Sequence, residues 1–259
     1  MRGTQLSNAT PAALGYRMPA EWETHAATWL SWPRREGISF PSAFDRVLPT
    51  LRRMVEALLT SEPVCINVCN GAHEAEARAV LDGLSFERLT FHRIPTNEPW
   101  CRDHGPIFLT RDEEPQLAIV DWDYNAWGGK YPPCDLDEVV PTRVGQILHV
   151  PVFYPRMILE GGSIEVNGAG ALLTSEGCLL NPNRNPDLSR MQIENGCAII
   201  LASAKFSGSA MASKVTIPMV MSTISRALSA SAQSLRSWKK IAMTRTTSRS
   251  RKISRVWAR

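Results

Sequence analysis

Apolar residues recur every three to four positions along FPSAFDRVLPTLRRMVEALLTS, residues 40–61, with Phe44, Val47, Leu48, Leu51, Met54, Val55 and Leu58 on one stripe. That period predicts an amphipathic helix, kinked or started at Pro49, whose ring removes a backbone donor. AHEAEARAVLDGL, residues 72–84, predicts a second helix with Gly83 near its end. LDEVVPTRVGQILHV, residues 136–150, predicts a third from Pro141 on. Short β-branched runs lie between them. One follows the Trp-rich loop of residues 17–33 and ends at Pro33; the others are PVCINVCN (63–70) and LTFHRIP (89–95), the last stopped by Pro95. Residues 106–124 read as a hairpin with RDEEPQ at the turn, and residues 151–182 as a series of short strands broken by glycines and Asn-Gly turns. Strand, helix and strand units thus recur every roughly 40–60 residues. The order predicts an α/β fold of repeated β-β-α-β units rather than a doubly wound sheet.

Composition adds little until it is divided. The 259 residues are enough for one large domain or two small ones, and 44% hydrophobic with 21% charged residues is ordinary for a globular chain. The net charge of +4 is the sum of two opposite parts. Residues 1–194 hold all 25 acids beside 17 of the 29 basic residues, a net of −8; the remaining 65 residues hold the other 12 and no acid. No apolar run approaches the roughly 20 residues of a membrane span, and the opening residues lack the apolar segment of a secretory leader. Six cysteines show no regular pairing. The expectation is a cytoplasmic protein with free thiols. Cys65 and Cys69 have no second Cys/His pair at finger spacing, so no metal is expected there.

Three segments could carry chemistry. NEPWCRDHGPIF, residues 97–108, sets Trp100, Arg102, Asp103 and His104 on an expected loop before a Gly-Pro turn. A carboxylate beside an aromatic ring suits a planar cation, which the carboxylate pairs and the ring stacks on. The alternative is a local Arg102–Asp103 ion pair with Trp100 in the core. LEGGSIEVNG, residues 159–168, follows Glu160 with two glycines, which permit either a close backbone approach or a simple turn. DWDYNAWGGKYPP, residues 121–133, brings Trp122, Tyr124 and Trp127 to a Gly-Gly pair, as a substrate-lining loop or a satellite apolar cluster.

Taken in order and spacing, MPAEWETHAATWLSWP, NEPWCRDHGPIF, YNAWGGKY and LEGGSIEVNG resemble the agmatine deiminase and bacterial-type peptidyl-arginine deiminase family, guanidine-modifying enzymes of the pentein superfamily. The resemblance covers about residues 17–194. It implies a pentein-type α/β propeller, five-bladed when complete, with a central site, no metal and no organic cofactor. It implies a small guanidinium substrate: agmatine, giving carbamoylputrescine and ammonia, or peptidyl or free arginine. Asp103 would bind the guanidinium, Glu160 would orient a His, and Trp100 and Trp127 would line the substrate channel. A Cys thiolate would attack the guanidinium carbon, and the His would protonate the leaving ammonia and then activate water.

The resemblance also implies an Asp-Gly-His-Val-Asp-like segment after Glu160 and a late nucleophilic Cys. No His follows His149, and none of the six cysteines is in the expected place. A shifted reading frame explains this. Single-codon residues force parts of the other frame: Met211 with Ala212 gives Gly, Met219 with Val220 gives Gly, Met243 with Thr244 gives Asp, and Trp238 with Lys239 gives Glu. Residues 212–228 can then be read as Gly-Ile-Glu-Gly-Asp-Asp-Thr-Asp-Gly-His-Val-Asp-Asp-Ile-Ser-Arg-Phe, with the His encoded at Met221. The expected division is therefore an incomplete deiminase domain, residues 1–195, and a basic tail, residues 196–259, translated out of frame and poorly ordered. The frame break is expected between Ile193 and Cys197, and the chain as written is expected to be inactive. The rival reading is a non-enzymatic fragment binding acidic ligands or nucleic acid through that tail. Its scattered Lys and Arg, with only Phe206, Trp238 and Trp257 between them, argue against nucleic acid.

Overall fold

The computed structural model describes residues 9–201. Strand β1 (Thr28–Ser31) is followed by α1 (Phe44–Leu59), β2 (Val64–Asn67), α2 (Gly71–Val80) and β3 (Leu89–His92). These three strands pair in parallel in the order β1-β2-β3. The apolar stripe of residues 44–58 does what its period requires: Phe44, Val47 and Val55 are buried, and Leu48, Leu51 and Leu58 pack beside the core. Met54 departs from the expected stripe and is 39% exposed. Pro49 sits inside α1, in its second turn. Asn70 caps α2 by accepting the His73 N–H at 3.0 Å. Val55, Val64, Ile66, Ala77 and Leu81 are fully buried between the helices and this sheet.

After β3 comes a single helical turn, α3 (Cys101–His104), where a loop was expected. Strands β4 (Ile107–Thr110) and β5 (Leu117–Val120) form the expected antiparallel hairpin. The short turn α4 (Ala126–Gly129) and helix α5 (Val140–Leu148) lead to β6 (Val152–Phe153), which pairs in parallel with β5. This sheet, β4-β5-β6 with α5 as its crossover, is the expected β-β-α-β unit. The first sheet differs, being wholly parallel, β-α-β-α-β. Strands β7 (Ile164–Val166) and β8 (Leu172–Thr174) form a two-stranded antiparallel sheet. Its connection runs through Asn167 and Gly168, whose φ of +70° needs glycine, as the Asn-Gly signal predicted.

Two helices close the described chain. The turn α6 (Glu176–Leu179) lies where the sequence suggested only strands, and α7 (Arg190–Ala198) was not expected. Ser189 and Gln192 form a reciprocal capping box that starts α7. Ile193, Cys197 and Ile200 join the core cluster of Leu109, Val120, Trp122 and Leu159. The packed core therefore passes the expected boundary at 195/196 and reaches Ile200. The expected out-of-frame segment beyond residue 201 lies outside the described residues.

Candidate active site

Asp103, Glu160 and Trp127 come from three different segments, and glycines bring them together. Asp103 lies in α3, where its N–H and that of His104 turn back to the Trp100 carbonyl at 2.8 and 3.2 Å. Gly161 and Gly162 open the helical turn Gly161–Ser163 that packs on α3. A Cβ on Gly161 would collide with the Arg102 carbonyl oxygen, and one on Gly162 with Asp103 Oδ1. The Glu-Gly-Gly sequence is thus a close backbone approach, one of the two alternatives left open by the sequence. It sets buried Glu160 beside Asp103.

The second wall is a left-handed turn. Ala126, Trp127, Gly128 and Gly129 all have positive φ, and Trp127 stands at φ +57°, ψ +42°. Asn125 caps the turn, accepting the Gly128 N–H at 2.8 Å. A Cβ on Gly128 would collide with the Asn183 amide and come within 2.6 Å of Arg184 Nη1. The Trp127 ring packs edge-on between Tyr124 and Tyr131, at 5.6 and 5.7 Å between centroids. Tyr124 is buried and its hydroxyl has no partner among the described residues; its ring lies 5.8 Å from that of His104.

Burial pushes the Asp103 carboxyl up to about 6, and the charge of Glu160 pushes the same way. The Arg102 charge and the N–H groups of Gly162 and Trp127 oppose the rise. A half-buried carboxylate beside a second carboxylate is disfavoured in its charged form both by lost hydration and by repulsion, and a nearby cation opposes both. Arg102 does not form the local ion pair with Asp103 considered above; it pairs with Glu21. Arg184 Nε instead donates to Glu160 Oε1 at 2.6 Å, with both side chains buried, while Glu160 Oε2 has no partner among the described residues. Arg184 could not be read from sequence, because the pair spans 24 residues and exists only through the fold.

Trp100 is placed by a different network. Its indole N–H donates to Ser39 Oγ at 2.7 Å, and Ser39 Oγ donates in turn to Glu98 Oε2. Glu98 also accepts the Ile38 and Ser39 N–H groups at 2.7 and 3.0 Å. Trp100 reaches Asp103 through its backbone carbonyl, and its half-buried ring lies 5.9 Å from Phe40. Below it, Asp137 Oδ1 accepts the Asn97 and Glu98 N–H groups at 2.7 and 3.2 Å. Burial, the larger cause, and the Glu98 charge raise the Asp137 carboxyl to about 7. His104 Nε2 donates to the Glu98 carbonyl at 3.2 Å, and burial lowers this imidazole to about 4, so it is neutral at pH 7.

All six cysteines are free thiols. Cys178 lies near Glu160, but burial and that charge both raise its thiol. Burial raises Cys101 to about 11. Neither is an activated nucleophile. Cys69 is lowered, with burial opposing and the His73 side chain outweighing it, but it faces His73 and the Thr96 carbonyl. Among the described residues no group of three or more His, Cys, Asp or Glu is placed to hold a metal ion. No described helix is long and apolar enough to cross a membrane.

The architecture is a partial pentein-type α/β propeller of the kind built by guanidine deiminases. The Porphyromonas-type peptidyl-arginine deiminase family matches across residues 17–207, and the chain belongs to that family. An agmatine deiminase of Medicago truncatula is 37% identical over 197 residues, 72% of this chain and 51% of the relative. The solved agmatine deiminase of Enterococcus faecalis is 32% identical with a TM-score of 0.68, over 76% of this chain and 53% of that one. The solved agmatine deiminase of C. jejuni is 26% identical with a TM-score of 0.61, over 72% and 53%. The chain spans about half the length of the curated relatives it matches.

Proposed function

We propose that these residues are the guanidinium-gripping part of an agmatine deiminase. Asp103 pairs with the guanidinium, Glu160 lends it a second negative charge, and the Trp127 and Trp100 segments wall the channel. The observation that carries this reading is buried Glu160 beside half-buried Asp103, with Glu160 Oε2 left without a partner among the described residues. Peptidyl or free arginine is the runner-up substrate. The two share the guanidinium and differ at the far end, where agmatine has an amine and no carboxylate.

Turnover needs a thiolate to attack the guanidinium carbon and a His to protonate departing ammonia. Water must then cleave the thiouronium, returning the thiol and a urea product. The in-frame residues after Glu160 include no His, and the cysteines near the carboxylates are raised rather than lowered. The 259-residue chain is therefore expected to bind agmatine and release no ammonia. Calorimetric titration with agmatine and with arginine, beside an ammonia assay, tests this. Agmatine binding without ammonia supports it; ammonia release overturns the inactivity, and absence of guanidinium binding overturns the site.

The other reading frame can encode the His segment, and the forced codons at Met211, Met219, Trp238 and Met243, which give Gly, Gly, Glu and Asp, agree with it. Resequencing codons 185–200 of the gene checks this. A dropped base there restores the His segment; an unaltered frame removes the explanation.

A further inference from the structure

The Glu160 carboxylate is half occupied from within the chain. Arg184 Nε takes Oε1 at 2.6 Å, and Arg184 Nη1 donates to Asn183 Oδ1 at 2.7 Å. The Asn183 carbonyl accepts from Asn125 Nδ2 at 2.9 Å, which ties this segment to the turn holding Trp127. Gly128 leaves the room that Arg184 Nη1 fills. The guanidinium is thus fixed by Glu160, Asn183 and the Gly128 backbone together, and is almost wholly buried. Glu160 Oε2, equally buried, is left without a partner among the described residues.

We infer that Arg184 is the positioning residue of this site. It locks Glu160 through Oε1, so that only Oε2 is available to an incoming N–H donor, and it offsets the Glu160 charge felt by Asp103. A guanidinium ligand then meets Asp103 and a single oxygen of Glu160. This ligand geometry rests on the guanidinium reading above; the role of Arg184 toward the two carboxylates does not.

The test is a pH titration of the 259-residue chain carrying 13C-labelled Asp and Glu side-chain carboxyls, with D103N and E160Q for assignment. Wild type is compared with Arg184→Gln and Arg184→Lys, without ligand and with agmatine. In R184Q the Asp103 midpoint is expected to move up from about 6 by roughly one pH unit or more, because the adjacent anion has lost its counter-charge. R184K keeps the charge but not the planar fork. Its Asp103 midpoint is expected to stay, while its Glu160 carboxyl signal shifts and agmatine affinity falls about tenfold. An unmoved Asp103 midpoint in folded R184Q overturns the proposal. If R184Q does not fold, an unchanged Glu160 signal in R184K overturns it. If wild type binds no agmatine but the R184Q midpoint moves, the guanidinium reading falls and the positioning role stands.

Discussion

Two carboxylate sites meet at α3, and they differ in how completely their glutamate oxygens are used. On one side, Glu98 and Asp137 are clasped by backbone: Glu98 accepts from Ile38, Ser39 and the Ser39 hydroxyl, and Asp137 from Asn97 and Glu98. On the other side, the Glu160 charge acts on Asp103, and Glu160 keeps one oxygen without a partner among the described residues. Proton affinity does not separate the two sites, since Asp137 is raised to about 7 and Asp103 to about 6, both chiefly by burial. Unspent hydrogen-bonding capacity separates the two glutamates: both Glu98 oxygens accept, whereas Glu160 Oε2 accepts nothing among the described residues. A saturated buried carboxylate holds the chain in place; an unsaturated one has capacity for something else.

That contrast breaks first at Asp137. Asp137→Ala removes the acceptor of two buried N–H groups and should cost about 3 kcal/mol of stability, read as a lowered urea midpoint. Asp103→Asn should leave the urea midpoint nearly unchanged and weaken agmatine binding by about 2 kcal/mol or more, roughly 30-fold, by calorimetry. Equal losses of stability in both variants would erase the distinction. The pH dependence sharpens it further. Asp103 is raised, so its charged form fades as pH falls through about 6, and agmatine affinity should fall about tenfold between pH 7 and pH 5. D103N should flatten that profile. The smallest effect is expected at Ser39→Ala, which removes the Trp100 indole partner at about 1 kcal/mol, with a shift in tryptophan emission and little change in agmatine affinity.

Much of the fold was legible because it depends on local pattern. The stripe of α1, the Pro141 start of α5, the β4–β5 hairpin and the Asn167-Gly168 turn each follow from neighbours in sequence. Glu160 and its glycines were legible as candidates, though their purpose required the partner surface of α3. Arg184 was not legible, because its charge is matched only by a residue brought near in space. Helix α7 was missed although Ser189 and Gln192 spell its cap, since its apolar period is weak and Ile193 and Cys197 alone face the core. The one-turn α3 was read as loop because four residues give no period to detect.

The left-handed turn at Ala126–Gly129 has a kinetic consequence. Four successive positive φ angles, with Gly128 packed closely against Asn183 and Arg184, set the Trp127 turn within the folded chain. The ordering cost of that wall is met when the chain folds, not when a ligand arrives. Encounter should therefore proceed in one step, with an observed association rate that rises linearly with agmatine concentration and shows no plateau.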